Sequence, residues 1–327
     1  MKHITILVPH EGVLASIDDP RCMFAGVNDM LEAAGKKPAF AIQLVGLTKD
    51  VKLHKGSFTV HADLLLHEVK KTDLIFIPAL SGDIQQALES NKDFIPWIVE
   101  QYKKGTEIAS LCIGAFLLAS TGLLNGKQCS THWKYANEFR AMFPDIDLVD
   151  DRIITEEKRL YTSGGANSYW NLLLYLVEKY TDRATAILAS KIYAVEINRK
   201  SQSPFIIFNG QKGHEDEGVK KAQEFIEQNV AEKILVHELA SQFAIGRRSF
   251  EKRFKKATNN TPVEYIQRVK IEAAKRSLET SRKNVAEVMY DVGYYDTKAF
   301  RTVFKKITGL SPIDYRNKYN KAILSIA

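Results

Sequence analysis

Apolar and polar positions follow two regimes along this chain. From residue 1 to about 195, short apolar runs alternate with stretches of helical spacing, the rhythm of an α/β domain around a largely parallel sheet. The runs at 4–8, 40–45, 74–77, 107–111 and 153–155 predict strands, and the spacing predicts helices over 24–34, 94–103, 115–121, 169–180 and 184–196. In the last hundred or so residues one helical pattern is written twice. Phe250, Phe254, Lys255, Lys256, Thr258, Pro262 and Tyr265 recur as Phe300, Phe304, Lys305, Lys306, Thr308, Pro312 and Tyr315. Each copy has an apolar segment (Val236, Leu239, Ala240, Phe243; then Val285, Val288, Met289, Val292), a turn, and a basic, aromatic-studded helix. That order predicts an all-α domain of two helix-turn-helix units.

Residues four apart share a helix face, so Phe250 and Phe254 pack inward and their neighbours point out. The outward sets are Arg247, Arg248, Glu251, Lys252 and Lys255 in the first copy, and Thr297, Lys298, Arg301, Thr302 and Lys305 in the second. Those side-chain types read base edges and hold phosphates. The repeat offset slips by one residue ahead of these helices, so the second turn is one residue longer. Asp296 is placed to cap its helix, and Gly246 is the weaker cap. Helical spacing over 263–281 predicts a connector of about 27 Å. Two reading heads so separated suit successive major-groove segments about 34 Å apart, and one chain would read an asymmetric site.

Charge changes the picture next. Residues 215–327 hold 22 Lys/Arg against 15 Asp/Glu, whereas residues 1–214 hold 24 against 24, so the whole net +7 lies in the C-terminal part. A basic excess confined to one domain fits a polyanion binder and equally a solvated basic bundle; the duplicated helix-turn-helix is what favours double-stranded DNA as the partner. With 327 residues, 45% of them hydrophobic, the chain accommodates two domains. The expected division is 1–197, a polar and Gly-bearing connection over 198–216, and 217–327. Three cysteines (Cys22, Cys112, Cys129) without ligand spacing, and histidines without HxH or HxxxH spacing, predict a reducing cytoplasm, no metal site and no cofactor. No apolar run is long enough for a signal or membrane segment.

Candidate chemistry in the first half centres on Cys112. A strand runs directly into a helix with Cys112 at the junction and Gly114 two residues later, the pattern of a nucleophile elbow, where a helix N-terminus favours a thiolate. His132, 20 residues on, is the nearest candidate base. Gly164 and Gly165 precede an apolar helix, and their backbone N–H groups suit an anionic ligand group. The plainer readings are a small residue at a tight turn for Cys112, a structural histidine beside Trp133, and a packing turn at the glycines.

Residues 217–319 resemble the DNA-binding domain of the AraC/XylS family, most of all over Val292-Gly293-Tyr294, 300–312 and Tyr315-Arg316. The resemblance implies base contacts from Arg248, Glu251 and Lys252, and from Thr297, Lys298, Arg301 and Thr302. Gly246 departs from it, standing where a capping serine is common. Residues 3–190 resemble PfpI/ThiJ-like members of the class I amidotransferase-like superfamily, which implies a flavodoxin-like domain with a mostly parallel sheet. The two together resemble GlxA-type regulators, through Cys112-Ile113-Gly114-Ala115, Gly122-Leu123-Leu124, Thr131-His132-Trp133 and Gly164-Gly165. Catalytic relatives also carry an acid after the first strand; here Asp18 is nearest in context.

The resemblance implies a cytoplasmic transcriptional regulator and not an enzyme. Its α/β domain would dimerise and bind a small, nitrogenous effector at Cys112, His132, Asp18, Gly164 and Gly165, and RNA polymerase would be a further partner. Two other readings stand beside it: a cysteine-dependent hydrolase or glyoxalase-like enzyme (Cys112/His132) fused to a DNA reader, and a basic module that binds protein.

Overall fold

The computed structural model describes residues 1–197 and 199–320, so expectations for residue 198 and for 321–327 lie outside the described residues. The chain forms two compact units divided between Gln202 and Ser203.

The first unit is an α/β fold. Its elements are β1 (Lys2–Val8), α1 (Leu14–Ala33), β2 (Phe40–Gly46), β3 (Asp50–Leu53), β4 (Phe58–His61), β5 (Leu64–Leu65), β6 (Leu74–Ile77), α2 (Ile84–Ser90), α3 (Phe94–Lys103), β7 (Glu107–Ser110), α4 (Ala115–Ser120), β8 (Gln128–Cys129), α5 (Ala136–Met142), β9 (Asp147–Leu148), β10 (Ile154–Glu157), β11 (Leu160–Ser163), α6 (Tyr169–Tyr180) and α7 (Arg183–Ile192). A seven-stranded sheet runs β10-β11-β7-β6-β1-β2-β5, parallel except for the β10–β11 pair. β6 is buried at every position, as a strand covered on both faces requires, and its Leu-Ile-Phe-Ile sequence is uniformly apolar for that reason.

Of the elements that escape the sequence pattern, two bear on the candidate site. α1 begins ten residues before the expected helix, because Pro20 and the Asp18-Asp19 pair mask the periodicity. Its buried Ser16, Ile17, Pro20, Met23, Phe24, Val27 and Leu31 nevertheless form one helical stripe. Packing of that stripe outweighs the ~3 kcal/mol that an interior proline costs. β11 lies inside the sheet although Thr162 and Ser163 make it look polar. Its hydroxyls are satisfied in place: Thr162 Oγ1 accepts the Ser130 N–H at 2.6 Å, and Ser163 Oγ donates to the Ser110 carbonyl at 3.3 Å.

The second unit comprises α8 (Glu217–Gln228), α9 (Val236–Gln242), α10 (Arg247–Thr258), α11 (Pro262–Thr280), α12 (Val285–Asp291), α13 (Thr297–Thr308) and α14 (Pro312–Tyr319). Two apolar clusters form its core, one around Phe250, Phe254 and Tyr265, the other around Phe300, Phe304 and Tyr315, and α11 supplies residues to both. Buried Lys270 on α11 donates to the carbonyls of Val230, Glu232 and Val292 at 2.7, 2.9 and 2.9 Å, tying the turns of the two halves to one ammonium.

The connection expected over 198–216 is divided between the units. Lys200 accepts the Ile153 N–H through its carbonyl, and Gln202 is fully buried in the first unit. Phe208 stacks on Tyr265 at 5.2 Å, and its N–H donates to Glu272 in the second. Backbone pairing and one aromatic anchor thus hold parts of this polar connection.

Candidate nucleic-acid interface and ligand site

The duplicated sequence folds into duplicated geometry. Ring centroids lie 5.5 Å apart for Phe250–Phe254 and 5.2 Å for Phe254–Tyr265, against 5.7 Å for Phe300–Phe304 and 5.5 Å for Phe304–Tyr315. Thr258 and Thr308 hydroxyls each donate to the carbonyl four residues back, and Thr261 and Ser311 each cap the following helix. The turn before α10 spans 243–246 and that before α13 spans 292–296, one residue longer as the offset predicts. Asp296 Oδ1 accepts the Ala299 N–H at 2.7 Å, whereas Gly246 offers no side-chain cap. Gly293 has φ +69°, and a Cβ there would meet the Ala231 carbonyl oxygen at 2.2 Å, so only glycine fits the second turn.

The outward faces are placed as the spacing predicts. Arg247, Arg248, Lys252 and Lys255 are exposed on α10 with Glu251 half-buried; Thr297, Lys298, Arg301, Thr302 and Lys305 are all exposed on α13. The two faces differ in local pairing. Arg247 Nε donates to Glu251 at 2.9 Å, and Lys255 Nζ donates to the Asn259 carbonyl at 2.7 Å. Thr302 donates to the Lys298 carbonyl at 2.8 Å.

In the first unit Cys112 takes φ +54° where β7 passes into α4, the strained turn of an elbow. A Cβ on Gly114 would lie 2.5 Å from the carbonyl oxygens of Ile77 and Pro78, which accounts for the glycine. The Cys112 N–H donates to Ser163 Oγ at 3.4 Å, and Thr131 Oγ1 donates to the Cys112 carbonyl at 3.0 Å. The expected thiolate is not supported: burial pushes the Cys112 thiol up to about 12, outweighing the opposing hydrogen bond from Ile113. His132 is half-buried; its Nδ1 accepts the Lys134 N–H at 3.1 Å, and its ring lies 5.5 Å from Trp133. Burial, then the Lys134 charge, holds its pKa below the ordinary imidazole value.

Asp18 is engaged on its own helix, accepting from Arg21 Nε at 2.9 Å and from the Cys22 thiol at 3.3 Å. Its neighbour is the acid that turns inward: Tyr169 OH donates to Asp19 Oδ2 at 2.5 Å. Burial raises the Asp19 carboxyl above the usual range, although hydrogen bonds from Tyr169 and Trp170 oppose the shift. A one-residue step on a helix turns a side chain by about 100°, so these adjacent aspartates meet different partners. The glycine turn is also more closed than expected. The Gly164 N–H donates to the Ile153 carbonyl at 2.7 Å, and a Cβ there would meet Gln202 Nε2 at 2.3 Å. Gln202 itself donates to the carbonyls of Thr131 and Arg152.

With both sites described, comparison with known proteins shows what each unit is similar to. A DJ-1/PfpI family matches residues 26–179, and a helix-turn-helix domain family matches residues 239–318. The chain is 24% identical over 226 residues to the HTH-type transcriptional regulator GbdR of Pseudomonas aeruginosa, covering 69% of this chain and 61% of the relative. It is 32% identical over 115 residues to an AraC-like transcription regulator of Streptomyces antibioticus, covering 35% of this chain and 38% of the relative. Among solved structures, a transcriptional regulator protein from Vibrio parahaemolyticus matches with a TM-score of 0.52 at 23% identity, covering 58% of this chain and 98% of that one. The chain joins a DJ-1/PfpI domain to an AraC-type helix-turn-helix domain. It spans about three fifths of the length of the GbdR relative.

The helix-turn-helix domain presents one feature the repeat did not reveal. Tyr290 and Tyr295 are exposed, 54% and 73%, with ring centroids 6.0 Å apart beside the second turn. Tyr294-Tyr295 within a turn was the available signal. In the DJ-1/PfpI domain the overlooked pair is Asp19–Tyr169, hidden by the unrecognised first turns of α1. Among the described residues no group of three or more His, Cys, Asp or Glu side chains could hold a metal ion, and no helix is long and apolar enough to cross a membrane.

Proposed function

We propose that this protein is a sequence-specific, DNA-binding transcriptional regulator of the cytoplasm, controlled by a small molecule bound in its DJ-1/PfpI domain. The observation that carries the reading is the repeated geometry of the two helix-turn-helix units, each with its aromatic residues inward and a basic face outward. In this reading Arg248, Glu251 and Lys252 on α10, and Thr297, Lys298, Arg301 and Thr302 on α13, approach base edges, while Arg247, Lys255 and Lys305 hold phosphates. The protein acts as a homodimer and engages RNA polymerase at its promoters. The effector exerts control by binding one arrangement better than another. Catalysis by Cys112 is no part of the reading, because the thiol is buried and burial favours its neutral form over the nucleophilic thiolate.

Selection of bound sequences from a random DNA library by the full-length protein, beside the Arg301→Ala/Lys252→Ala variant, tests this. The expected result is an enriched motif of two blocks about one helical turn apart, lost in the variant. A folded protein that enriches nothing overturns the DNA reading and returns weight to a protein-binding module.

A further inference from the structure

The Cys112 elbow is closely packed, but the DJ-1/PfpI domain contains a cavity elsewhere. It has a volume of about 490 Å³ and lies beside β10 and α6, where the chain passes from α7 toward the end of the unit. None of its lining residues belongs to the elbow cluster of Cys112, His132, Asp18, Gly164 and Gly165. That volume is within the range of about 300–1,000 Å³ typical of small-molecule pockets.

Charge gives the cavity a chemical preference. Arg152, Arg199 and Lys200 converge on it with Asp151 and Glu178. Glu178 is engaged by Arg183, whose Nη1 donates to it at 2.5 Å. Arg152 is oriented by a neutral acceptor, its Nη1 donating to Gln128 Oε1 at 3.0 Å, a bond that fixes the guanidinium without cancelling its charge. Arg199 Nη2 donates to Ser168 Oγ at 3.0 Å, which orients a second guanidinium of the lining. Planar guanidinium forks match carboxylates, and Lys adds a mobile point charge. Ile154 and Ile197 provide apolar wall for a short carbon skeleton.

We propose that this cavity, and not the Cys112 elbow, is the effector site, and that its ligand is a small organic carboxylate held by Arg152, Arg199 and Lys200. The inference rests on the reading of the chain as a ligand-controlled DNA binder, and it adds a route for control. Lys200 and Ser201 line the cavity and immediately precede Gln202, the last residue of the unit. The Lys200 carbonyl and Arg152 backbone pair this segment to the sheet edge. A carboxylate that draws Lys200 toward Arg152 therefore acts on the stretch of chain that leads into the helix-turn-helix domain.

Calorimetric titration of the full-length protein with acetate, lactate, succinate and citrate at constant ionic strength tests the site. The expected result is saturable binding of at least one of them, weakened at least tenfold in Lys200→Glu and in Arg152→Gln, and changed less than twofold in Cys112→Ser. Lys200→Gln, with its smaller charge change, serves if the reversed charge disturbs folding. Absence of binding by all four, or binding untouched by the Lys200 and Arg152 variants, overturns the proposal. So does binding lost in Cys112→Ser alone. DNA selection with the same wild-type preparation separates the two readings: carboxylate binding by a protein that selects no DNA keeps the site and removes its regulatory role.

Discussion

Phe304→Ala probes the assignment of inner and outer faces most directly. The ring is fully buried, flanked by Phe300 at 5.7 Å and Tyr315 at 5.5 Å. A buried aromatic side chain removes about 150–250 Å² from water. At about 25 cal/mol per Å² that is about 4–6 kcal/mol, an upper value because unfolded chains are themselves partly compact. Large-to-small substitutions at such sites cost about 3–5 kcal/mol, and we expect that loss here. In a domain of this size it lowers the melting midpoint by about 15–30 °C. Urea or thermal unfolding followed by far-UV ellipticity measures it. All three tryptophans (Trp97, Trp133, Trp170) lie in the DJ-1/PfpI domain, so tryptophan fluorescence reports that domain and localises the loss. An ellipticity transition displaced by less than about 1 kcal/mol would show that Phe304 does not hold the second unit together.

Other perturbations test the remaining assignments. Arg301→Ala or Lys252→Ala is expected to cost about 1–3 kcal/mol at the selected DNA site and to relax base preference there, measured by titration against scrambled sequences; equal losses on every sequence would reduce the residue to a phosphate contact. Alkylation with iodoacetamide at neutral pH, followed by peptide mass analysis, should label exposed Cys22 well before buried Cys112, and equal rates would contradict the thiol pushed up to about 12. Asp19 carries a folded-state pKa above its unfolded value, so the folded state binds the extra proton and that stabilisation is lost as pH rises through the folded pKa. Asp19→Asn, which keeps an acceptor for Tyr169, should therefore gain stability relative to wild type as pH rises above the ordinary carboxylate value of 3.8; a difference flat with pH would refute the burial of this carboxylate.

What was legible in the sequence followed from periodicity. The all-apolar run of β6 and the four-residue spacing of Phe250 and Phe254 identify elements and faces because burial imposes them directly. The signal failed where burial was satisfied by other means. β11 buries Thr162 and Ser163 through hydroxyl bonds to neighbouring backbone, so it does not read as a core strand. Pro20 hid the start of α1, and with it the turn that brings Asp19 and not Asp18 to Tyr169. The closure of the Gly164 turn by Gln202 joins residues 38 positions apart, a pairing no local pattern encodes.

In the proposed DNA-binding reading, the shared ammonium of Lys270 bears on which operators the protein can use. One 19-residue helix, α11, contributes to both cores, and three carbonyls from the two halves converge on one side chain. The distance between the reading heads is thus a property of the protein, with little freedom to follow the DNA. Inserting one base pair between the two blocks of an operator would carry one of them about 34° around the duplex axis. Substitutions within a block would be graded in effect, but a change in the number of intervening base pairs would be all-or-none, and genuine targets should vary in letters far more than in length.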